Sequence, residues 1–371
     1  MLKTKLPLIL DTATGTTYMK YGMKPGEKSW KFAYEHPDML YNFQKGLYDA
    51  GSDAVLTSTF GIVQGKDPID LNAAAGVAKV ARQAAGKDKL VIGAVSPIGR
   101  YLYPYGDMKF DEAVERYGEV VRAIDPYVDL FMTETNIQTS ETRAAVCAMK
   151  KYSNKQIIAT LTIDQTGKTL SGDLLLPSLF TLADAGADCF GVNCSFGAVS
   201  VAEHLIPIIP YAEAIGVTVA AKPNAGLPDK PSTLEEFGGA MQKMYDAGIS
   251  VLGGCCGTTV EHVILLKEMT ERSAPGKITP ADIDFSKVVS NTREYAVIGD
   301  DLPDPVEISE FLSDDLDEQD CEYALIEIGE GQTGELLSQL PYITKPFALC
   351  GDEAEYEKFK RVYCGKTIFI K

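Results

Sequence analysis

The chain has 371 residues, a formal net charge of −17 and 45% hydrophobic residues. That length accommodates one large domain plus a smaller one, each with a buried core. The acidity argues against nucleic acid or an anionic lipid surface as partner, and no apolar run approaches the ~20 residues of a membrane span.

The N-terminus places Lys3 and Lys5 before a short apolar stretch that runs into Asp11. The stretch is too short for a secretion signal and reads as a first buried strand. Further short apolar runs follow at 54–58, 90–95, 130–133, 157–162, 189–193, 217–221 and 250–252, which with 6–10 makes eight. Such runs suit parallel strands covered on both faces. The intervals carry helical spacing, as in 112–124, where Ala113, Val114, Tyr117, Val120, Val121 and Ile124 recur on one side. Segments 139–152 and 234–247 read similarly. Eight strand–helix units predict an α/β protein with a closed (β/α)₈ TIM barrel over residues 1–285. The rival is an open doubly wound sheet, but Asp11-Thr12-Ala13-Thr14-Gly15-Thr16 is not a glycine-rich phosphate fingerprint.

Ser273-Ala274-Pro275-Gly276 breaks the last helix and opens a linker. Residues 286–371 are expected to form a small α/β unit that carries much of the acidity, with 8 basic and 19 acidic residues. Strands are expected at 323–328 and 367–370, helices at 334–340 and 353–363, and charged connectors at 300–304 and 313–320. A chain that stops in a strand hints at the opening of a further domain cut from a longer protein.

Functional groups of a barrel project from the C-terminal ends of its strands. After the sixth predicted strand stands Cys194, and after the eighth comes Gly253-Gly254-Cys255-Cys256-Gly257-Thr258-Thr259. Glycines around the vicinal pair let the backbone bend so that both sulfurs point at one centre. A disulfide between neighbours is strained. Three soft thiolates with one place left open describe a catalytic zinc site. His36, His204 and His262 offer no obvious fourth ligand. Cys147, Cys189, Cys321, Cys350 and Cys364 read as small buried hydrophobes. With eight cysteines and no secretion signal, the default location is the cytoplasm.

The segment from Gly253 through His262 resembles the zinc motif of the homocysteine S-methyltransferases, and the resemblance runs over roughly residues 1 to 272. Residues 11–16, 53–60, 96–100, 110–113, Glu134-Thr135, 191–195 and 222–228 are similar, in order, to other strand-end motifs of that family. The resemblance implies Zn²⁺ on Cys194, Cys255 and Cys256, with the homocysteine thiolate as fourth ligand. It also implies that Asp11 and Glu134 lie near the substrate ammonium. Asn193 falls in the sixth-strand motif, and backbone amides at Ala13, Thr14, Gly15 and Thr16 are candidates for the substrate carboxylate. At the second strand Leu56 stands where the family carries an acidic or amide residue, which opens the question of a different thiol.

The implied activity is methyl transfer to a zinc-held thiol, because the thiolate is the nucleophile. The donor is methylcobalamin or methyltetrahydrofolate, or a methylated small molecule such as betaine or S-methylmethionine. Cobalamin would have to come from a missing C-terminal domain or a separate corrinoid protein, since no cobalamin-binding histidine loop is evident. The loop from Arg100 to Gly106 offers tyrosine faces to a cationic donor, although an ordinary tyrosine-rich turn is the simpler account. Two rival classes remain open at this point: a non-catalytic zinc or thiol-binding module, and a redox protein using Cys255 and Cys256.

Overall fold

The computed structural model describes residues 1–227, 229–309, 312–317 and 320–371. Pro228 of the seventh strand-end motif, and Glu318 and Gln319 of the 313–320 connector, lie outside the described residues.

Eight parallel strands build one sheet: β1 (Leu8–Ile9), β2 (Ala54–Leu56), β3 (Leu90–Val95), β4 (Leu130–Thr133), β5 (Gln156–Leu161), β6 (Cys189–Gly197), β7 (Thr218–Asn224) and β8 (Val251–Leu252). Their order, β1-β8-β7-β6-β5-β4-β3-β2, is that of a (β/α)₈ barrel. The seam between β1 and β2 has no regular ladder. It is closed by Asp53, whose N–H donates to Ile9 O at 2.7 Å while its Oδ2 accepts from Ile9 N at 3.0 Å. The device recurs at alternate strands. Asp129 takes the Val91 N–H at 2.8 Å, and Asp188 takes the Ile157 N–H at 2.9 Å. An aspartate just ahead of β2, β4 and β6 thus satisfies a strand-start amide that would otherwise lack an acceptor.

Leu8, Leu10, Leu56, Ile92, Met132, Ile158 and Val251 fill the barrel interior. A larger core lies between strands and helices. In Phe110–Ile124 all six residues of the predicted apolar face are buried, and Leu234–Asp246 starts with a Thr233–Glu236 capping box. Strands β6 and β7 run farther than their apolar cores, to Gly197 and Asn224, and these extensions carry the site. Two helices not expected from the sequence, Ser29–Glu35 and Pro37–Ala50, precede β2.

After an irregular stretch from Ser273, residues 288–371 form the smaller α/β unit. It holds an antiparallel pair, Val288–Ser290 with Tyr295–Val297. It also holds a parallel sheet of Val306–Glu307, Ala324–Ile328 and Phe347–Gly351. The strand expected at 367–370 reduces to a single parallel bridge, Leu349 to Phe369, made by Leu349 N donating to Ile368 O at 2.9 Å and Ile370 N donating to Leu349 O at 2.8 Å. Part of the expected 313–320 connector is a helix, Leu312–Asp317. Cys321 is exposed, and Cys147 and Cys350 only half-buried, which corrects the expectation of buried thiols there.

The unit docks on the barrel. Arg143 donates to Lys360 O at 2.8 Å and Arg361 O at 3.0 Å, carbonyls of the last turn of Glu353–Val362. Thr181 Oγ1 meets Ser290 Oγ at 3.2 Å, and Phe180 stacks edge-on against Tyr295 at 5.1 Å. A cavity of about 550 Å³ separates the two bodies, lined in part by Tyr101, Tyr105, Asp173 and Arg293. Among the described residues no helix is long and apolar enough to cross a membrane.

Candidate metal centre

Cys194 lies at the end of β6, where the ladder with β7 slips between Cys194 and Gly197. Cys194 and Ser195 take φ of 59° and 69°, the left-handed region that non-glycine residues enter at a cost. This bulge re-aims a side chain at the strand end. Asn224 of β7 holds it by donating from Nδ2 to Ser195 O.

Cys255 and Cys256 follow β8 in a loop tied to its neighbours on both sides. Gly254 N donates to Asp11 O at 3.1 Å, Cys255 N to Pro223 O at 2.8 Å, and Ala225 N to Cys256 O at 2.9 Å. Two glycines are required. A Cβ on Gly254 would stand 2.5 Å from Thr258 Oγ1, and Gly257 has φ of 79°. Thr258 Oγ1 in turn donates to Cys255 O at 2.7 Å and accepts from Ala13 N at 3.2 Å.

The outcome is that the three sulfurs of Cys194, Cys255 and Cys256 lie within 4.8 Å of one another. No histidine or carboxylate joins the cluster among the described residues. His262 is engaged elsewhere: its Nδ1 accepts the Thr259 N–H at 3.1 Å as part of a helix cap. The thiols perturb each other. Hydrogen bonding to the Cys194 sulfur, then burial, pushes Cys255 up to about 12. A divalent cation relieves this crowding by taking the thiol protons' place, and three converging thiolates with an open position are the donor set of a catalytic zinc site.

Beside the sulfurs lies a buried charge cluster. Lys222, at the end of β7, is 2% exposed. Its Nζ donates to Gly254 O at 2.7 Å and stands 3.2 Å from Asp11 Oδ1. Asp11 Oδ2 accepts the Leu56 N–H at 2.8 Å, so this carboxylate braces the β1–β2 seam. Glu134 is half-buried, and its carboxyl has no hydrogen-bond partner among the described residues. Burial, tempered by Lys222 and reinforced by Asp11, pushes it up to about 7.

The other predicted contacts divide. Asn193 has no exposed surface. Its amide bonds Thr135 N at 2.8 Å, Thr135 Oγ1 at 3.1 Å and Thr160 Oγ1 at 2.8 Å, so it braces the rim of β4 and β5. Ala13 is buried, while Thr14, Gly15 and Thr16 open the helix Thr14–Lys20. Leu56 belongs to the barrel interior. Two residues on, Ser58 pairs with Tyr18 OH at 2.6 Å. Lys222 and Asn224 were assigned no role from sequence. The available signal was a lysine ending an apolar strand, Ala220-Ala221-Lys222.

The family model for homocysteine S-methyltransferases matches residues 8–270. The chain belongs to the homocysteine S-methyltransferase family. It is 27% identical over 253 residues to methionine synthase of Mycobacterium tuberculosis, covering 61% of this chain and 21% of that protein. It is 28% identical over 290 residues to methionine synthase of Mycobacterium leprae, covering 71% and 24%. The chain therefore spans under a quarter of the length of these relatives. The metallated form of the homocysteine methyltransferase MmuM from Escherichia coli aligns with a TM-score of 0.58 at 20% identity, over 73% of this chain and 97% of that one. The apo form aligns with a TM-score of 0.56 at 21% identity, over 72% and 97%. At these identities the structural likeness establishes the barrel fold.

Proposed function

We propose that this family member moves a methyl group to the thiol of homocysteine, giving methionine, with zinc held by Cys194, Cys255 and Cys256. The observation that carries the reading is the convergence of three sulfurs within 4.8 Å from two separate strand ends. When bound, zinc supplies a Lewis acid that keeps the acceptor sulfur as its thiolate.

The chain's own residues hold and orient. The β6 bulge and the Gly254–Gly257 turn aim the sulfurs, and Asn193 and Asn224 stiffen the rim around them. Asp11, Lys222 and Glu134 line the acceptor subsite. The opening N–H groups at Thr14, Gly15 and Thr16 suit the acceptor carboxylate, since first-turn amides lack intrahelical acceptors. The methyl donor is methylcobalamin, methyltetrahydrofolate or a methylated small molecule. For the first, the corrinoid comes from another domain or a partner protein, a division supported by the greater length of the methionine synthase relatives. Residues 1–285 act as the transferase barrel and 286–371 as an accessory unit. Eight free cysteines support a reducing, cytoplasmic setting.

The test is zinc analysis of the purified chain followed by homocysteine methylation against a donor panel. Stoichiometric zinc with methionine formation supports the reading. Zinc without transfer from any donor points to a thiol-binding module, and a Cys255–Cys256 disulfide without metal points to redox chemistry.

A further inference from the structure

The cavity between the barrel and the accessory unit takes its barrel wall from segments that follow β3, β4 and β5. None of its lining belongs to the loops that carry the three sulfurs. At about 550 Å³ it has the size of a small-molecule site. Asp173 lines it and is 5% exposed. Asp173 Oδ2 accepts the Thr139 N–H at 2.7 Å and the Ser171 hydroxyl at 2.8 Å, while Oδ1 has no hydrogen-bond partner among the described residues. A carboxylate oxygen so enclosed calls for a cationic donor. Arg293 comes from the accessory unit, and its Nη2 lies 3.8 Å from the Cβ position of Gly172, next to Asp173. Its guanidinium forms no ion pair among the described residues. The turn that carries it is fixed: Asn291 Oδ1 accepts from Arg293 N and Glu294 N at 2.7 Å each, and Leu174 N donates to Thr292 O at 2.9 Å. Tyr101, Tyr105 and Leu170 also line the cavity yet stay exposed, apolar surface that a ligand would cover.

We propose that this cavity is a second ligand site, for a free α-amino acid with a large apolar side chain. The ammonium and carboxylate of such a zwitterion sit on one carbon, so they need an anion and a cation side by side, which Asp173 and Arg293 supply. The side chain covers the tyrosine faces, where buried aromatic area adds affinity. Because each body contributes one charge, the bound amino acid ties the accessory unit to the barrel. The site stands independently of the zinc reading.

The experiment is calorimetric titration of the full chain with L-tryptophan, with tryptamine, which lacks the carboxylate, and with indole-3-propionate, which lacks the ammonium. Tryptophan is expected to bind with a Kd below about 1 mM and each truncated compound at least about tenfold more weakly. Arg293→Gln, at an exposed position, is expected to bring tryptophan down to the level of tryptamine. Cys255→Ser is expected to bind tryptophan as the wild type does. Absence of saturable heat with tryptophan overturns the inference, as does equal affinity for the three compounds or an unchanged tryptophan affinity in folded Arg293→Gln. Loss of binding in Cys255→Ser would place tryptophan among the sulfurs and overturn it too. If Arg293→Gln does not fold, the wild-type affinity ratios decide.

Discussion

Lys222 Nζ stands 3.2 Å from Asp11 Oδ1, joining β7 to the end of β1 past the intervening β8. The pair does two things at once: it sets the charge beside the sulfurs, and through Asp11 Oδ2 on Leu56 N it helps close the seam. Removing one partner leaves the other charge buried and alone. Asp11→Ala is expected to lower stability by about 3–5 kcal/mol, measured as a fall in the urea midpoint. A loss under about 1 kcal/mol would show that the pair braces nothing.

Cys255→Ser is expected to abolish stoichiometric zinc and methyl transfer while leaving far-ultraviolet circular dichroism unchanged, because the loop is held by backbone bonds from Pro223, Ala225 and Asp11. Unchanged zinc content in the variant would refute the ligand assignment.

Glu134 ties stability to pH. Its pKa is raised by burial from 4.5 to about 7, so the folded chain binds the proton more tightly than the unfolded chain. The stabilising contribution is complete below about pH 4.5 and is lost as pH rises through about 7. The full effect is about 3 kcal/mol. Glu134→Gln, which cannot ionise, is expected to remove this slope between pH 5 and 8 in denaturation of the metal-free protein. An identical pH profile in wild type and variant would count against a buried carboxyl.

Arg143 holds the accessory unit by donating to two carbonyls at the end of Glu353–Val362 while its guanidinium lies 5.0 Å over Phe110. Arg143→Ala is expected to loosen that docking by about 1–3 kcal/mol and to quicken limited proteolysis in the irregular stretch after Ser273. Equal cleavage rates would mean that the apolar contacts around Phe180 suffice.

The barrel, the accessory unit and the three cysteines were legible in the amino-acid order alone. Apolar strand runs at regular intervals admit few topologies, and glycines around Cys255-Cys256 are a local pattern that lets two sulfurs face one centre. The reach of β6 and β7 was not legible, since Cys194 enters the left-handed region only where β6 slips against β7. Nor was the role of Lys222, whose partners Asp11 and Gly254 lie 211 residues before it and 32 after it. Whether a lysine at a strand end reaches water or a buried carboxylate depends on which strand closes the barrel beside it. Tertiary structure decided that charge balance, because Coulomb energy follows distance through space and not along the chain.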